Sequence, residues 1–449
     1  MTSITTTIKK IKDLVTGNEE SFELSQEFSD CIDSMENSNL NIFITGKAGT
    51  GKSTLIEYFR NTTKKKTVVL APTGLAAINV KGQTIHSFFH LPPRFLDPHS
   101  QFRSYNSRVY KDLDAVIIDE ISMVRADLFD ALDRFLRVNG KDRNLPFGGI
   151  QMIVVGDLYQ LPPIVAREEM HVFSQFFESP YFFSANAFSD SGFAVIELTH
   201  IYRQKDEQYI SLLNKIRVGQ VDMNDMSLIN DRVVVKDYEK VRREFITLAT
   251  TNSVVAGIND SELNKIEGPL FTYNAIVKGN FPTEERTLPV EMELRLKKGA
   301  RVIFIKNDKG RRWVNGTSGF VESLDKDSIK VRLDEPGFHE IVTVPLEEWE
   351  NIKYEYDEEE QSVVPVVLGT LKQYPLKLAW AITIHKSQGM TFNKANIDFS
   401  KSPFTHGQTY VALSRCRTLE GMVVTKKIYP NDVMVDPRII EFSKKIGRM

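Results

Sequence analysis

The stretch IFITGKAGTGKS, residues 42–53, joins a short apolar run to a glycine-rich segment. Consecutive apolar residues are typical of a parallel strand that is buried on both faces. Gly46 to Ser53 then match the pattern G-x-x-x-x-G-K-[ST], which requires a strand before it and a helix after it. In such a loop the backbone N–H groups turn inward around phosphate oxygens, and the helix N-terminus adds its positive dipole end. The stretch therefore predicts a nucleotide site in an α/β fold.

The residue types of this loop indicate the roles at the predicted site. Lys52 supplies a positive charge to the β and γ phosphates of ATP, and Ser53 offers a hydroxyl to Mg²⁺. The residues predicted to contact the nucleotide are Gly46, Ala48, Gly49, Thr50, Gly51, Lys52, Ser53 and Thr54. The alternative is a glycine-rich turn that binds nothing, and the strand before the loop disfavours it.

Two further apolar runs end in polar residues that suit hydrolysis. The run 116–118 is followed by Asp119 and Glu120, and the run 152–155 by a loop that contains Gln160. Because the carboxyl ends of neighbouring parallel strands meet at one sheet edge, Asp119 can hold the water shell of the metal there. Glu120 can orient or deprotonate an attacking water, and Gln160 can sense the γ phosphate through its amide. Two adjacent acids favour hydrolysis over transfer to another substrate, since an attacking water needs a base.

The composition is that of a folded globular protein. Its 449 residues are 41% hydrophobic and 26% charged, and 57 basic against 59 acidic side chains give a net charge of −2. This balance excludes wholesale disorder and argues neither for nor against a polyanionic partner. Two cysteines, Cys31 and Cys416, are too few for a disulfide scaffold or a cysteine zinc site. No apolar run is long enough to span a bilayer, so we expect an intracellular protein (cytoplasm or nucleoid) with no membrane partner.

Alternation of helix-like and strand-like stretches predicts two α/β domains, each interrupted by an insertion. The second insertion alternates with period two, as in a small β barrel, and its acidic run Glu347 to Glu360 is expected to be a solvated loop. The predicted ranges are 1–80 and 111–192 for the first domain, 81–110 for its insertion, 193–260 and 370–449 for the second domain, and 261–369 for its insertion.

Nine short motifs follow one another over nearly the whole chain. They are residues 46–53 (GKAGTGKS), 71–77 (APTGLAA), 82–89 (GQTIHSFF), 119–124 (DEISMV), 156–163 (GDLYQLPP), 202–204 (YRQ), 249–252 (ATTN), 384–389 (IHKSQG) and 410–415 (YVALSR). The series resembles that of superfamily-one helicases of the B subgroup, closest to the petite-integration-frequency type and related to the RecD and Dda helicases. Any one motif could arise by chance, whereas the whole series in this order is highly specific.

The resemblance implies a fold and a set of nucleotide contacts. The fold is α/β, with two RecA-like P-loop domains that contain parallel sheets, a small wedge insertion and an SH3-like β-barrel insertion. ATP lies between the two RecA-like domains, and Arg203 and Arg415 reach its γ phosphate from the second domain as arginine fingers. Gln388 and Gly389 match residues near the same phosphate, and Gln26 is the candidate that reads adenine.

The resemblance also implies a path for single-stranded DNA across both domains. The matching positions are Pro72, Thr73, Gly74, Thr84 and His86 in the first domain and Thr251, Asn252, His385 and Ser387 in the second. Hydroxyls, imidazoles and backbone N–H groups suit a groove that follows phosphates without reading base edges. One of Phe88, Phe89 and Phe95 is a candidate to stack on a base or split the duplex, with core packing as the alternative. Basic residues around Trp313 either line a nucleic-acid channel or form a solvated face.

We therefore expect an ATP-dependent 5′→3′ DNA helicase that uses Mg²⁺, acts on single-stranded and tailed duplex DNA, and is a monomer when free. The polarity rests on the resemblance alone. Three alternatives stay open: a ring-forming P-loop ATPase that loads or remodels other molecules, a DNA-binding scaffold that uses ATP as a switch, and an RNA-directed or opposite-polarity helicase.

Overall fold

The computed structural model describes residues 25–105, 108–234, 238–283, 288–308, 310, 312–334, 340–359 and 362–447. The helices are α1 Gln26–Asn37, α2 Lys52–Thr62, α3 Gly74–Asn79, α4 Ile85–Phe88, α5 Arg108–Asp112, α6 Ala126–Asn139, α7 Met170–Phe173, α8 Asn186–Asp190, α9 Glu207–Arg217, α10 Met223–Asn230, α11 Tyr238–Glu244, α12 Asn252–Lys265, α13 Gln408–Leu413 and α14 Pro437–Ile446. Within these ranges, no helix combines the length and the apolar character needed to cross a membrane.

The strands belong to two parallel sheets and to an antiparallel insertion. They are β1 Ile42–Gly46, β2 Thr67–Ala71, β3 Gln83–Thr84, β4 Ala115–Ile118, β5 Gln151–Val155, β6 Ala194–Leu198, β7 Ile246–Ala249, β8 Phe271–Asn274, β9 Ile276–Gly279, β10 Glu293–Leu296, β11 Arg301–Phe304, β12 Ser318–Asp325, β13 Ser328–Leu333, β14 Ile341–Val344, β15 Glu347–Asp357, β16 Ser362–Gln373, β17 Leu376–Leu378, β18 Ala381–Thr383, β19 Ala395–Asp398 and β20 Met422–Val424.

The first lobe is built on a parallel sheet whose described strands have the order β3-β2-β4-β5-β1-β6. Strands β1, β4 and β5 are buried at every position, as their continuous apolar runs predict. Because β4, β5 and β1 are neighbours in this order, the loops that follow them meet at one edge of the sheet. The order of strands therefore brings the acidic pair and the Gln160 loop next to the glycine-rich loop.

The second lobe contains a smaller parallel sheet with the order β18-β7-β19-β20. The loops after β7, β18 and β19 again leave from one edge, and α13 follows β19 along the chain. Two parallel sheets in an α/β arrangement confirm the predicted fold class. The insertion between β7 and β18 forms an antiparallel sheet β14-β13-β12-β11-β17 with the smaller sheets β15-β16-β9 and β10-β8.

The domain boundaries predicted from sequence differ from the strand pairing at several places. Strand β6, predicted to open the second domain, pairs in parallel with β1 in the first sheet. Strand β17, predicted to belong to the second domain, pairs with β11 in the insertion. The C-terminal helix α14 returns to the first lobe, where the ring of Phe442 stacks on that of Phe183 at 4.2 Å. The chain thus passes from the first lobe to the second after β6 and returns to the first lobe at α14. After β17 it passes from the insertion back into the second sheet.

Most of the acidic run Glu347 to Glu360, predicted to be a solvated loop, instead forms strand β15 (Glu347–Asp357), and Glu360 lies outside the described residues. Its apolar side chains Trp349, Ile352 and Tyr354 are buried. Strand β15 pairs with β16 as a long hairpin that reaches the first lobe, where the hydroxyl of Tyr354 accepts the backbone N–H of Val69 at 3.4 Å. The prediction was wrong because it rested on the many acidic residues of this segment, whereas the apolar residues between them form a buried face of the strand.

Candidate active site

The loop between β1 and α2 closes around the side chain of Lys52. Gly49 has a φ of +86°, and a Cβ at this position would lie 2.6 Å from the Cβ of Arg203, so only glycine allows the two segments to approach. The Nζ of Lys52 donates to two backbone oxygens of the loop, at 2.8 and 2.9 Å. Burial lowers the pKa of Lys52. The ammonium group therefore lies inside the loop, where phosphate oxygens can replace the two carbonyls.

Asp119 and Glu120 lie at the carboxyl end of β4, within electrostatic reach of Lys52. The backbone of Glu120 has a φ of 51°, a left-handed conformation that is strained for a residue with a side chain and is often found at functional sites. Burial raises the pKa of both carboxyls, and the charge of Asp119 raises the pKa of Glu120 further. A carboxylate with a raised pKa is a better proton acceptor, which fits Glu120 as a general base.

The loop after β5 brings Gln160 to the same edge. Its side chain is buried, and its Nε2 donates to Oδ2 of Asp157 at 3.4 Å. Asp157 is buried as well and accepts the backbone N–H of Tyr159 at 3.2 Å. The amide of Gln160 is therefore held by a carboxylate for which no role was predicted from sequence.

Arg203 and Arg415 meet at the cleft between the lobes. Arg203 lies on the segment that joins β6 to α9, rather than in the second sheet, and donates to the backbone oxygen of Ser414 at 3.3 Å. Arg415 follows α13 and donates from Nε to the oxygen of Val411 at 3.0 Å. Burial lowers the pKa of both, and the charge of Arg415 helps to lower the pKa of Arg203 to about 9. In the described part of the chain neither guanidinium lies within ion-pair distance of a carboxylate, although the charges of Glu120 and Asp157 act on Arg415 from further away. Together the two arginines make a positive site.

The second lobe also touches the glycine-rich loop directly. The hydroxyl of Tyr410 accepts the backbone N–H of Ala48 at 2.9 Å. The Nε2 of Gln388 is buried and has no hydrogen-bond partner among the described residues, so it is a donor that a phosphate oxygen could satisfy. No role was predicted for Tyr410. Gln388, predicted to lie near the γ phosphate, lines a cavity with Leu75, Ile305 and Lys386, so its role at the phosphate stays a prediction.

Gly407 allows the start of α13 to lie against the β5 loop. Its φ is +74°, and a Cβ there would lie 2.2 Å from the backbone oxygen of Gln160. Gly407→Ala is therefore expected to destabilise the protein by about 1–3 kcal/mol and to lower the rate of ATP hydrolysis, because the two lobes can no longer meet. Urea unfolding and an ATPase assay measure the two effects.

Gly192→Ala is the matched control for this prediction. Gly192 has a φ of +61°, but a Cβ there has no neighbour within 4 Å. The control carries the backbone strain alone, about 1 kcal/mol, and is expected to keep the parent's ATPase rate. Equal losses in the two variants would show that the contact at Gly407 contributes nothing.

The far end of the loop offers a surface for the base of a nucleotide. A Cβ at Gly51 would lie 3.7 Å from the rings of both Phe28 and Tyr202, and Tyr202 is 37% exposed. Gln26, predicted to read adenine, is exposed at the start of α1 and donates to Asp30 at 2.6 Å. Sequence analysis assigned Tyr202 no role of its own, although its place beside Arg203 in the YRQ motif could have suggested one.

The residues predicted to hold Mg²⁺ supply oxygen ligands. Ser53 is exposed at the start of α2. Within the described part of the chain, the Asp119 side chain accepts one hydrogen bond, at Oδ1 from the N–H of Glu120 at 2.9 Å. Among the described residues no group of three or more histidine, cysteine or acidic side chains could hold a metal alone. A hydroxyl and a carboxylate fit a hard cation that arrives with a nucleotide and keeps several waters.

The candidate DNA residues of the first lobe lie on two short helical starts. The hydroxyl of Thr73 accepts the N–H of Ala76 at 3.2 Å and caps α3, and Thr84 caps α4 through the N–H of Ser87 at 3.3 Å. Burial lowers the pKa of His86, whose Nδ1 has no partner among the described residues. The hydroxyls therefore position backbone N–H groups at the surface, while Pro72 and Gly74 are half-buried beside them.

The candidate DNA residues of the second lobe differ in exposure. Thr251 and Asn252 follow β7 at the surface, and burial lowers the pKa of His385 after β18. Ser387 is fully buried, and its hydroxyl donates to the oxygen of Ile384 at 2.7 Å. Its side chain does not face a groove in this structure, so any contact there has to come from the backbone.

Two of the three candidate wedge residues belong to the core. Phe88 and Phe89 are buried, and their rings pack against Tyr110. Phe95 is half-buried and lies 6.0 Å from the ring of Phe176, which is 39% exposed. Core packing therefore accounts for Phe88 and Phe89, and only Phe95 retains access to solvent.

The basic residues near Trp313 do not form one channel with it. Trp313 is buried and stacks on Phe304 at 4.3 Å, and Arg301 is buried towards Glu244 of the second lobe. Lys309 and Arg311, which belong to the same predicted cluster, lie outside the described residues. The aromatic ring is thus part of the insertion's core.

Comparison with known proteins extends these observations. The family model described as PIF1-like helicase matches residues 22–227. The chain is 32% identical over 437 residues to the ATP-dependent DNA helicase Pif1 of Campylobacter jejuni, a match that covers 90% of this chain and 94% of that protein. The crystal structure of Bacteroides Pif1 in complex with ADP-AlF4 has a TM-score of 0.86 at 36% identity and covers 95% of this chain and 98% of that one.

A second structure of the same relative differs in arrangement. Bacteroides Pif1 bound to ssDNA is also 36% identical and covers 94% of this chain and 97% of that one, but its TM-score is 0.66. Because the identity is the same, the lower score reflects how the parts are placed. Unliganded Bacteroides Pif1 has a TM-score of 0.85 at the same 36% identity. The arrangement of this chain is therefore similar to that of the relative without DNA, with or without the nucleotide analogue.

Proposed function

Since the chain belongs to the family of PIF1-like helicases and is an ATP-dependent DNA helicase of that type, we propose that it moves 5′→3′ along single-stranded DNA and unwinds the duplex ahead of it. The resemblance predicted from the motif series is confirmed by these relatives. We propose the 5′→3′ direction, the movement along one DNA strand and the roles of the individual site residues.

The observation that carries the proposal is the pair of guanidinium groups, Arg203 and Arg415, beside the glycine-rich loop. Like charges in a low-dielectric cleft repel each other, so the closed arrangement is stabilised when an anion lies between them. A triphosphate supplies this anion, and loss of its γ phosphate weakens the attraction. ATP binding therefore closes the cleft, and hydrolysis with phosphate release allows it to open.

The residues at the edge of the first sheet carry out the hydrolysis. Glu120 accepts the proton of the attacking water, and the amide of Gln160 contacts the γ phosphate. Arg415 stabilises the charge that develops on the transferred group. Ser53 and Asp119 are the residues that would hold Mg²⁺, and the cation would supply positive charge against the phosphates.

Closure of the cleft moves the two groups of DNA contacts towards each other. Residues 72–74 follow β2 in the first lobe, and Thr251 and Asn252 follow β7 in the second. If one lobe holds the strand while the other releases it, each ATP advances the strand by one step. In this motor β1–β6 form the first RecA-like domain, β7 and β18–β20 form the second, and residues 266–378 form the insertion.

We expect the protein to unwind a duplex with a 5′ single-stranded tail and to leave a duplex with a 3′ tail intact. The physical reason is that a motor loaded on a tail reaches the duplex only when it moves towards it. Strand displacement with labelled DNA, ATP and Mg²⁺ measures this directly. A blunt duplex and the Lys52→Ala variant are the controls.

The same assay separates the remaining alternatives. Displacement of the 3′-tailed duplex alone would contradict the proposed direction. Displacement only of substrates with an RNA tail would show an RNA-directed enzyme, and ATP hydrolysis stimulated by DNA without displacement would show a switch rather than a motor.

A further inference from the structure

Arg217, at the end of α9, forms hydrogen bonds with the β5 loop across the cleft. Arg217 donates from Nε and Nη2 to Oδ1 of Asp157, at 3.3 and 3.0 Å. Its guanidinium group also lies 4.2 Å from the centre of the Tyr159 ring. The side chain of Asp157 has no exposed surface, and that of Arg217 is 10% exposed. The contact is therefore a buried ion pair that joins the two lobes.

Helix α9 is attached to the part of the second lobe that carries Arg415. The hydroxyl of Tyr209 in α9 donates to the backbone oxygen of Leu413 in α13 at 2.5 Å. Gly407, at the start of α13, lies against the backbone oxygens of the β5 loop. Among the described residues, Gly407 contacts the backbone of the β5 loop and Arg217 contacts a side chain of it. Movement of this lobe can therefore reach Asp157 directly through Arg217.

Asp157 transmits the contact to Gln160. Its Oδ2 accepts the side-chain amide of Gln160 at 3.4 Å, and its backbone oxygen accepts the N–H of Gln160 at 3.0 Å. A carboxylate that is oriented by Arg217 on one oxygen thus orients Gln160 on the other. Without the guanidinium group, the carboxylate loses its partner from the second lobe.

Stability alone does not explain a charged pair at this place. Two buried charges lose hydration, and an apolar pair of similar volume often stabilises a fold equally well. The guanidinium of Arg217, together with Lys52, holds the pKa of Asp157 below its usual range despite burial. Because the pair joins α9 of the second lobe to the β5 loop of the first, it requires the two lobes to lie together as they do here.

We propose that Arg217 is a positioning residue that couples closure of the second lobe to Gln160, by orienting the carboxylate of Asp157 so that the Gln160 amide meets the γ phosphate. The inference rests on the proposed function, because it requires Gln160 to act in ATP hydrolysis.

The test is a double-mutant cycle on ATP hydrolysis by the full chain with saturating single-stranded DNA. Gln160→Ala is expected to lower kcat by about 10²-fold, the usual effect of removing one donor to a developing charge. Arg217→Gln is expected to lower kcat by at least about 10-fold and to leave the KM for ATP within about two-fold. The double variant is expected to be no slower than Gln160→Ala, because both residues act through one contact.

Two further variants separate positioning from folding. Arg438→Gln is the control for loss of a similar charged pair, because Arg438 pairs with buried Asp436 and lies 5.9 Å from the ring of Tyr181, although its side chain is more exposed than that of Arg217. It is expected to keep the parent's kcat. Arg217→Lys keeps the buried charge and therefore the melting temperature, but it lacks the planar fork, so its kcat is expected to fall.

Each result supports or overturns the role of Arg217. The role is overturned if the two effects multiply in the double variant. It is also overturned if Gln160→Ala hydrolyses ATP at the parent rate, or if Arg217→Lys keeps the parent's kcat. A parent chain that hydrolyses no ATP in the presence of DNA overturns the proposed function instead. If the parent hydrolyses ATP and the Arg217 variants have the same kcat, the positioning role of Arg217 is wrong and the proposed function stands.

Discussion

Lys52→Ala is expected to abolish ATP hydrolysis and strand displacement while the chain remains folded. The lysine is the positive charge that the glycine-rich loop offers to the β and γ phosphates, and its removal leaves only backbone N–H groups there. We expect kcat to fall by roughly 10³-fold or more, which is the scale for losing a group that stabilises transition-state charge. A coupled ATPase assay with saturating DNA measures this loss.

The structure indicates why this loss of activity needs no loss of stability. The ammonium group of Lys52 is held by two carbonyls of its own loop, and burial already lowers its pKa. Its charge is therefore costly to the folded state in the absence of a nucleotide. Removing it is expected to change the free energy of unfolding by no more than about 1 kcal/mol, as measured by urea denaturation.

Two variants make this prediction specific. Lys64→Ala removes an exposed lysine just after the same helix and is expected to keep the parent's activity. Lys52→Arg keeps the charge, but the planar guanidinium does not fit between two carbonyls spaced for an ammonium group, so activity is expected to stay low. Full ATP hydrolysis by Lys52→Ala would mean that the loop does not bind the triphosphate.

The parts of the site that could be predicted from sequence are those in which chemistry follows a strand directly. The glycine-rich loop follows β1, and Asp119 and Glu120 follow β4, so an apolar run and its next residues define each position. Parallel strands then bring these loops to one edge without further information. The same rule explains why the α/β fold was predicted correctly.

The contacts between the lobes could not be predicted in this way. Tyr410 is 362 positions from Ala48, and Arg217 is 60 positions from Asp157. No local pattern marks a residue as the partner of one so distant in the chain. Sequence gave no role to Tyr410 or Arg217, because their roles depend on how two separately folded sheets meet.

The wrong prediction for the acidic run has a local cause. In β15 the buried side chains are Glu347 and Trp349 before Asn351, and Ile352 and Tyr354 after it. A register shift between Asn351 and Ile352 moves the buried face by one residue. The alternation of buried and exposed side chains is therefore interrupted in the middle of β15. Without that alternation, the acidic composition favours a solvated loop.

Arg415→Ala is expected to spare ATP binding and to lower kcat by about 10³-fold, the usual effect of losing an arginine finger. Arg415 hydrogen-bonds to its own lobe, through Val411 and Ser414, and makes no ion pair in the described part of the chain. Its charge is thus available to a phosphate. Equilibrium binding of a fluorescent nucleotide and a single-turnover ATPase assay separate the two effects.

The neighbouring exposed residue provides the control for this variant. Arg417→Ala removes an exposed arginine two positions further along the same segment. This variant is expected to keep at least half of the parent's kcat, which corresponds to a rise of about 0.4 kcal/mol or less in the activation free energy. An Arg415→Ala variant that hydrolyses ATP at the parent rate would contradict the assignment of the site. Weaker nucleotide binding with unchanged turnover would assign Arg415 to binding instead.

Mixing the two inactive variants decides whether the arginine acts within its own chain. The contacts Tyr410 to Ala48 and Arg217 to Asp157 join both halves of the site in one copy, so no second copy is needed to complete it. Equal amounts of Lys52→Ala and Arg415→Ala are therefore expected to remain inactive at every total concentration. In a ring, by contrast, an intact loop from one variant would meet an intact arginine from the other, and part of the activity would return as the concentration rises. Such recovery would place the guanidinium group in a neighbouring copy and would exclude a monomeric motor.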